Sequence, residues 1–140
     1  MSNCIFCKIV KNEIPCDLVF ENEKVSAFLD VRPSAPGHTL VVPKEHHEDL
    51  LVTPDILLLE SMRVIKKVAK AAMEATSAEG FNLIANTLPA AGQVVFHTHF
   101  HIIPRFSNDG LKHWPHKEVL KEEQQKIKDA MNKQLSAQPF

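Results

Sequence analysis

The apolar residues fall in short β-rich runs divided by turn residues, with one longer helical stretch between them. Leu18-Val19-Phe20-Glu21 and the run from Lys24 to Asp30, separated by a turn at Asn22-Glu23, predict a hairpin. Pro33-Ser34-Ala35-Pro36-Gly37 punctuates a loop, and His38 to Val42 predicts a short strand ending at Pro43. Thr53-Pro54-Asp55 has the form of a helix start: a capping hydroxyl, proline at the first helical position, then an acid near the positive end of the dipole. Leu58, Met62, Ile65, Ala69 and Ala72 follow at steps of three and four, so they share one face, and Lys66, Lys67 and Lys70 fall off it. This helix is predicted to reach Thr76, with Gly80 in the turn after it. Phe81 to Asn86 and Val94 to Ile103 predict two more strands around a loop from Thr87 to Gly92, the second stopped by Pro104. The segment from Lys117 to Leu135 has helix formers and a sparse stripe of Leu120, Ile127 and Met131, which predicts a partly exposed helix. Five strands and two helices joined by short links give an α+β fold, an antiparallel sheet covered on one face.

Composition narrows the function. The 140 residues suit one domain, read as a body over 1–110 and a partly helical tail over 111–140 of the same domain. Sixteen basic against seventeen acidic residues give a net charge of -1, without the basic excess with which proteins coat nucleic acid polymers. No run approaches the roughly 20 apolar residues that cross a membrane. The N-terminal apolar run is broken by Lys8, Lys11 and Glu13, so a cytoplasmic protein is expected.

The informative segment is Gly92-Gln93-Val94-Val95-Phe96-His97-Thr98-His99-Phe100-His101-Ile102-Ile103-Pro104-Arg105. On a strand, His97, His99 and His101 share one face at about 7 Å steps, and Val94, Phe96, Thr98, Phe100 and Ile102 share the face that packs on the core. Chance histidines on a solvated face are the plain alternative, yet such faces are normally built from Lys, Glu, Thr and Ser. A zinc hydrolase is a second, but its ligand set usually includes a carboxylate, and none lies between Asn86 and Arg105. Imidazole suits nucleotidyl transfer: unprotonated near neutral pH, it attacks phosphorus, while neighbouring histidines hydrogen-bond the non-bridging oxygens and protonate the leaving group.

This segment resembles the signature of the histidine triad (HIT) family. Phe28-Leu29-Asp30 with Pro36-Gly37-His38-Thr39-Leu40-Val41-Val42-Pro43-Lys44, and Cys4-Ile5-Phe6-Cys7-Lys8-Ile9-Val10 with Glu13-Ile14-Pro15, resemble further family blocks. The similarity spans residues 4 to about 105 and lies nearest the Hint-like branch. It implies a five-stranded antiparallel sheet with two helices, and two chains pairing into a homodimer that extends the sheet. It implies that His99 is the nucleophile, that His101 lies against the phosphate, and that His38 contacts the triad opened by His97. It implies that Asp30 binds the ribose and that Ile5, Phe6, Ile14, Phe28 and Leu29 wall the base pocket. Asn86 and Gln93 match polar positions beside the phosphate. Val94 stands where relatives often carry a phosphate-binding hydroxyl, and Leu29 where some carry a polar residue. Taken alone, Asp30 and Asn86 are ordinary turn residues, and the apolar set is ordinary core.

Three cysteines are too few, and odd in number, for a disulfide framework. Cys4-x-x-Cys7 has three readings: a redox pair, which would open a helix after a strand in a thioredoxin-like pattern absent here, two buried thiols, or half of a structural zinc site. His46 and His97 are the candidates to complete a Cys2His2 set, a pattern with which some bacterial-type relatives bind zinc. The function expected is hydrolysis of a purine nucleotide such as an AMP–amine conjugate at its α-phosphate, with no metal in the chemistry. Cleavage of dinucleoside polyphosphates and a non-catalytic nucleotide-binding dimer are the alternatives.

Overall fold

A computed structural model describes residues 3–139. The chain divides into two compact units, one ending at Asp109 and one beginning at Gly110. In the first, strands β1 (Leu18–Glu21), β2 (Val25–Leu29), β3 (Thr39–Pro43), β4 (Gly80–Ile84) and β5 (Phe100–Arg105) form one sheet. Its order is β1-β2-β3-β5-β4, and each neighbouring pair is antiparallel. The helices of this unit are α1 (Ile5–Val10) and α2 (Asp55–Thr76); in the second unit, α3 (Lys121–Ser136) has no buried residue.

The pleat explains how one sheet supports two cores. Val25 and Ala27 of β2, Val41 of β3, and Phe100 and Ile102 of β5 pack with Val64, Ile65, Val68 and Ala69 of α2. The intervening residues Phe28, Leu40 and Val42 face the other side and pack with Phe6 of α1. Cover on a single face was therefore only part of the answer. Helix α1 escaped the sequence reading although Ile5, Phe6, Ile9 and Val10 have helical spacing; six residues give little periodicity to detect.

Thr53 does not cap α2: the cap position is Pro54, and the Thr53 hydroxyl donates to the Asp49 carbonyl and pairs with the Thr98 hydroxyl at 2.6 Å. The buried face of α2 runs through Leu57, Ser61, Val64, Ile65, Val68 and Ala69, so it is rotated from the expected stripe, and Met62 is exposed. The turn after α2 is closed by Ser77 at φ 59°, and Gly80 already belongs to β4.

Strand β5 begins at Phe100, not Val94, and runs through Pro104. Pairing with β3 ends at Val41–Phe100. Beyond it the chain turns away so that the Thr98 N–H donates to the His47 carbonyl. Val94 and Phe96, expected in the core, are 83 % and 46 % exposed. Pro104 fits because β3 starts only at Thr39, so no ladder partner on that side needs its missing N–H. Gly37 approaches there instead, at φ 83°, where a Cβ would stand 3.2 Å from the Pro104 ring.

Candidate functional site

The α1 face of the sheet carries the histidines. His101 pairs with Leu40 across β3 and β5, and the Asp30 N–H donates to the His38 carbonyl, which continues the β2–β3 ladder by one step. His38, His99 and His101 thereby meet: ring centroids are 5.2 Å apart for His38–His101 and 5.1 Å for His99–His101. His97 and His99 precede β5 and are held by loops, yet they are 0 % and 8 % exposed.

Hydrogen bonds fix which nitrogen carries each proton. The Ser34 N–H donates to His38 Nδ1 at 2.9 Å, so the proton of neutral His38 sits on Nε2. That Nε2–H faces His101 Nδ1 at 3.0 Å and the Asp30 carboxylate at 3.5 Å. His101 accepts on Nδ1 and so presents Nε2–H. His99 Nδ1–H donates to the His97 carbonyl at 2.6 Å, which leaves a lone pair on His99 Nε2. Burial pushes His99 below the ordinary histidine value and outweighs the opposing effects of the His97 carbonyl and Asp30. Burial, then repulsion from His99 and His38, lowers His101 to about 4. The array is thus poised neutral, with one lone pair and one N–H available.

Asp30, His38 and His101 lie close enough to hold a cation. The Ser34 N–H argues against it: with Nδ1 accepting, His38 could ligate through Nε2 only as an imidazolate. This cluster is a hydrogen-bond relay.

The second cluster has the opposite polarity. Donor atoms of Cys4, Cys7, His46 and His97 all lie within 4.8 Å of one another. His97 Nε2–H donates to the Pro43 carbonyl at 2.7 Å, so its Nδ1 turns a lone pair into the cluster. Cys4 Sγ and Cys7 Sγ stand 3.4 and 3.6 Å from His97 Nδ1. His46 Nδ1 stands 3.3 Å from Cys7 Sγ and 3.2 Å from His97 Nδ1. Tetrahedral zinc with ordinary bond lengths has N–N edges of about 3.3 Å and N–S edges of about 3.6 Å. The donor set therefore fits such an ion.

Of the other residues singled out, Phe6 and Phe28 reach the histidines. The Phe6 ring stands edge-on to His99 at 5.0 Å, His97 at 5.9 Å and Phe28 at 5.8 Å. Asp30 caps its own turn through the Arg32 N–H and turns its other oxygen to His38. Ile5 is exposed beside Cys4 and His46, Leu29 is exposed at the end of β2, and Ile14 lines a separate hollow with Ile9, Cys16 and Leu18. Gln93 is occupied by the loop: its amide donates to the Glu48 and Val95 carbonyls and accepts from the Leu88 N–H. Asn86 reaches the Gly92 carbonyl at 3.5 Å. The positioning groups missed from sequence are the Ser34 N–H and the Pro43 carbonyl, because backbone atoms leave no residue-type signal. Thr98, expected to face the core, is buried, and its hydroxyl ties the histidine segment to Thr53 and His47.

The family model described as HIT domain matches residues 11–108. The chain belongs to the HIT domain family. Adenosine 5'-monophosphoramidase HNT1 of Saccharomyces cerevisiae is 43 % identical over 118 residues, 83 % of this chain and 72 % of that protein. The crystal structure of SMU.412c from Streptococcus mutans UA159 superposes with a TM-score of 0.91 at 38 % identity, covering 96 % of this chain and 87 % of that one. The zinc-bound histidine triad family protein from Mycobacterium smegmatis superposes at 0.76 with 36 % identity, covering 98 % and 99 %.

Proposed function

We propose that this protein hydrolyses purine nucleoside phosphoramidates, AMP–amine conjugates above all, through a covalent nucleotidyl intermediate on His99. The observation that carries this reading is the 2.6 Å bond from His99 Nδ1–H to the His97 carbonyl, which leaves the Nε2 lone pair of a neutral imidazole as the nucleophile. His99 Nε2 bonds to the α-phosphorus as the P–N bond breaks, and the leaving nitrogen takes a proton from water to depart as the neutral amine. Hydroxide from that water then breaks the P–Nε2 bond, so one water supplies the amine's proton and the phosphate's new oxygen. His101 Nε2–H donates a hydrogen bond where negative charge grows, and the His38–Asp30 relay holds His101 in that tautomer. In this reading Phe6, Phe28 and the exposed Leu29 at the end of β2 receive the base, and Asp30 receives the ribose. The activity in the yeast relative's name supports the substrate class.

The same reading gives the Cys4, Cys7, His46, His97 set one structural zinc, supported by the fitted distances and the zinc-bound relative. With four protein ligands no position remains for a reacting water, so zinc supplies structure rather than chemistry. Elemental analysis is expected to give about one zinc per chain, lost in Cys4→Ser.

Turnover on adenosine phosphoramidate, a dinucleoside polyphosphate and AMP binding, measured side by side, test the proposal. Phosphoramidate turnover that disappears in His99→Ala supports it. Preference for the polyphosphate moves the substrate class, and tight AMP binding without turnover makes the protein a binding module.

A further inference from the structure

The Cys/His cluster and the proposed nucleophile share one residue. His97 turns Nδ1 into the cluster, and its carbonyl holds His99 Nδ1–H. Phe6, between the two cysteines in sequence, packs edge-on against both His97 and His99. Phe6 and Cys7 are the buried residues of α1 and Cys4 caps its start, so two members of the cluster help hold that helix beside the Phe6 contact. The thiols differ in access. Cys7 is 4 % exposed, whereas Cys4 opens on a groove of about 390 Å³ lined by Asn3, Ile5, His46, Val94 and Phe96. Cys4 caps α1, and the Cys7 N–H donates to its sulfur. Cα atoms three positions apart at a helix start lie about 5–6 Å apart, which a disulfide spans.

We propose that this centre is a peroxide-sensitive switch on His99, an inference that rests on the zinc and hydrolase readings above. The Cys4 thiolate attacks one peroxide oxygen, the O–O bond breaks, and a sulfenic acid forms as hydroxide leaves. Cys7 sulfur then attacks the Cys4 sulfur and displaces a second hydroxide. The two thiolates lose two electrons, hydrogen peroxide gains them, two protons complete two waters, and the ion leaves as Zn²⁺. Without its ligands α1 loosens, Phe6 leaves His99, and His97 no longer holds its carbonyl in place.

The test treats zinc-loaded protein with hydrogen peroxide and follows free thiols, released zinc, hydrogen exchange over residues 5–10 and adenosine phosphoramidate turnover. Three thiols are expected to fall to one, with one zinc released per disulfide, faster exchange in α1, and turnover lowered about tenfold or more. A dithiol reductant with added zinc restores all four readouts. Cys16→Ser, outside the cluster, behaves like the parent in zinc release. Thiols that resist a tenfold peroxide excess, or a chain that cannot be loaded with zinc, overturn the switch. So does zinc loss that leaves α1 exchange and turnover unchanged. A protein without turnover whose zinc release and α1 exchange follow the expected course refutes the hydrolase reading while leaving the redox-driven release intact.

Discussion

At the scale of single residues, the site is defined by proton positions. Four imidazoles would be interchangeable bases in water; Ser34, Pro43 and the His97 carbonyl make them different. His99→Ala is expected to lower turnover by about 10⁴ or more, with AMP affinity little changed, because the nucleophile acts on the barrier. Burial also makes a stability prediction. Folded His101 titrates at about 4 against 6.5 for an ordinary histidine. Between those values the unfolded chain holds the extra proton, so stability is full above pH 6.5 and declines as pH falls towards 4. The melting temperature should be level above neutrality and drop in mildly acidic buffer, and His101→Gln should drop less steeply. An equal slope in both proteins would remove His101 as the cause.

At the scale of elements, Gly37 shows how tightly the His38 loop is set. It has φ 83°, and a Cβ would meet Thr76 Cγ2 at 2.9 Å and Pro104 Cγ at 3.2 Å. Gly37→Ala is expected to cost about 1–3 kcal/mol and to lower turnover by displacing His38; chemical denaturation and kinetics check the two effects separately. The sequence already showed the hairpin, β3, α2 and the helical tail, since each has either turn residues at both ends or a long enough period. It failed at α1, which is short, and over 94–99, where alternation suggested a strand. The histidines converge all the same, because Thr98 bonds to His47 and Thr53 and thereby anchors the segment without a ladder. The convergence of Cys4, Cys7, His46 and His97 was legible from cysteine spacing and family resemblance. The tautomer relay was not, because it depends on backbone atoms.

At the scale of the molecule, the two sheet edges differ. β1 is interrupted by a register shift between Leu18 and Phe20, a feature that discourages pairing, whereas β4 keeps an unbroken register along β5. β4 also exposes Phe81 and Leu83, each 39 % accessible. We propose that two copies pair through β4 into a homodimer with a continuous sheet. Sedimentation at micromolar concentration should report about twice the chain mass of 15.7 kDa, and Leu83→Asp should shift it towards the monomer. A parent protein that sediments as a monomer contradicts this assembly. Among the described residues no helix is long and apolar enough to cross a membrane.

The covalent intermediate is the claim on which the rest depends. Protein mixed briefly with adenosine phosphoramidate and quenched in base, because phosphohistidine is labile in acid, can be digested and its peptides weighed. The account predicts an adenylyl group on the peptide containing His99, placed on that residue by fragmentation and absent from His99→Ala. Undiminished turnover by His99→Ala, or an adenylyl group on a different histidine, would contradict it.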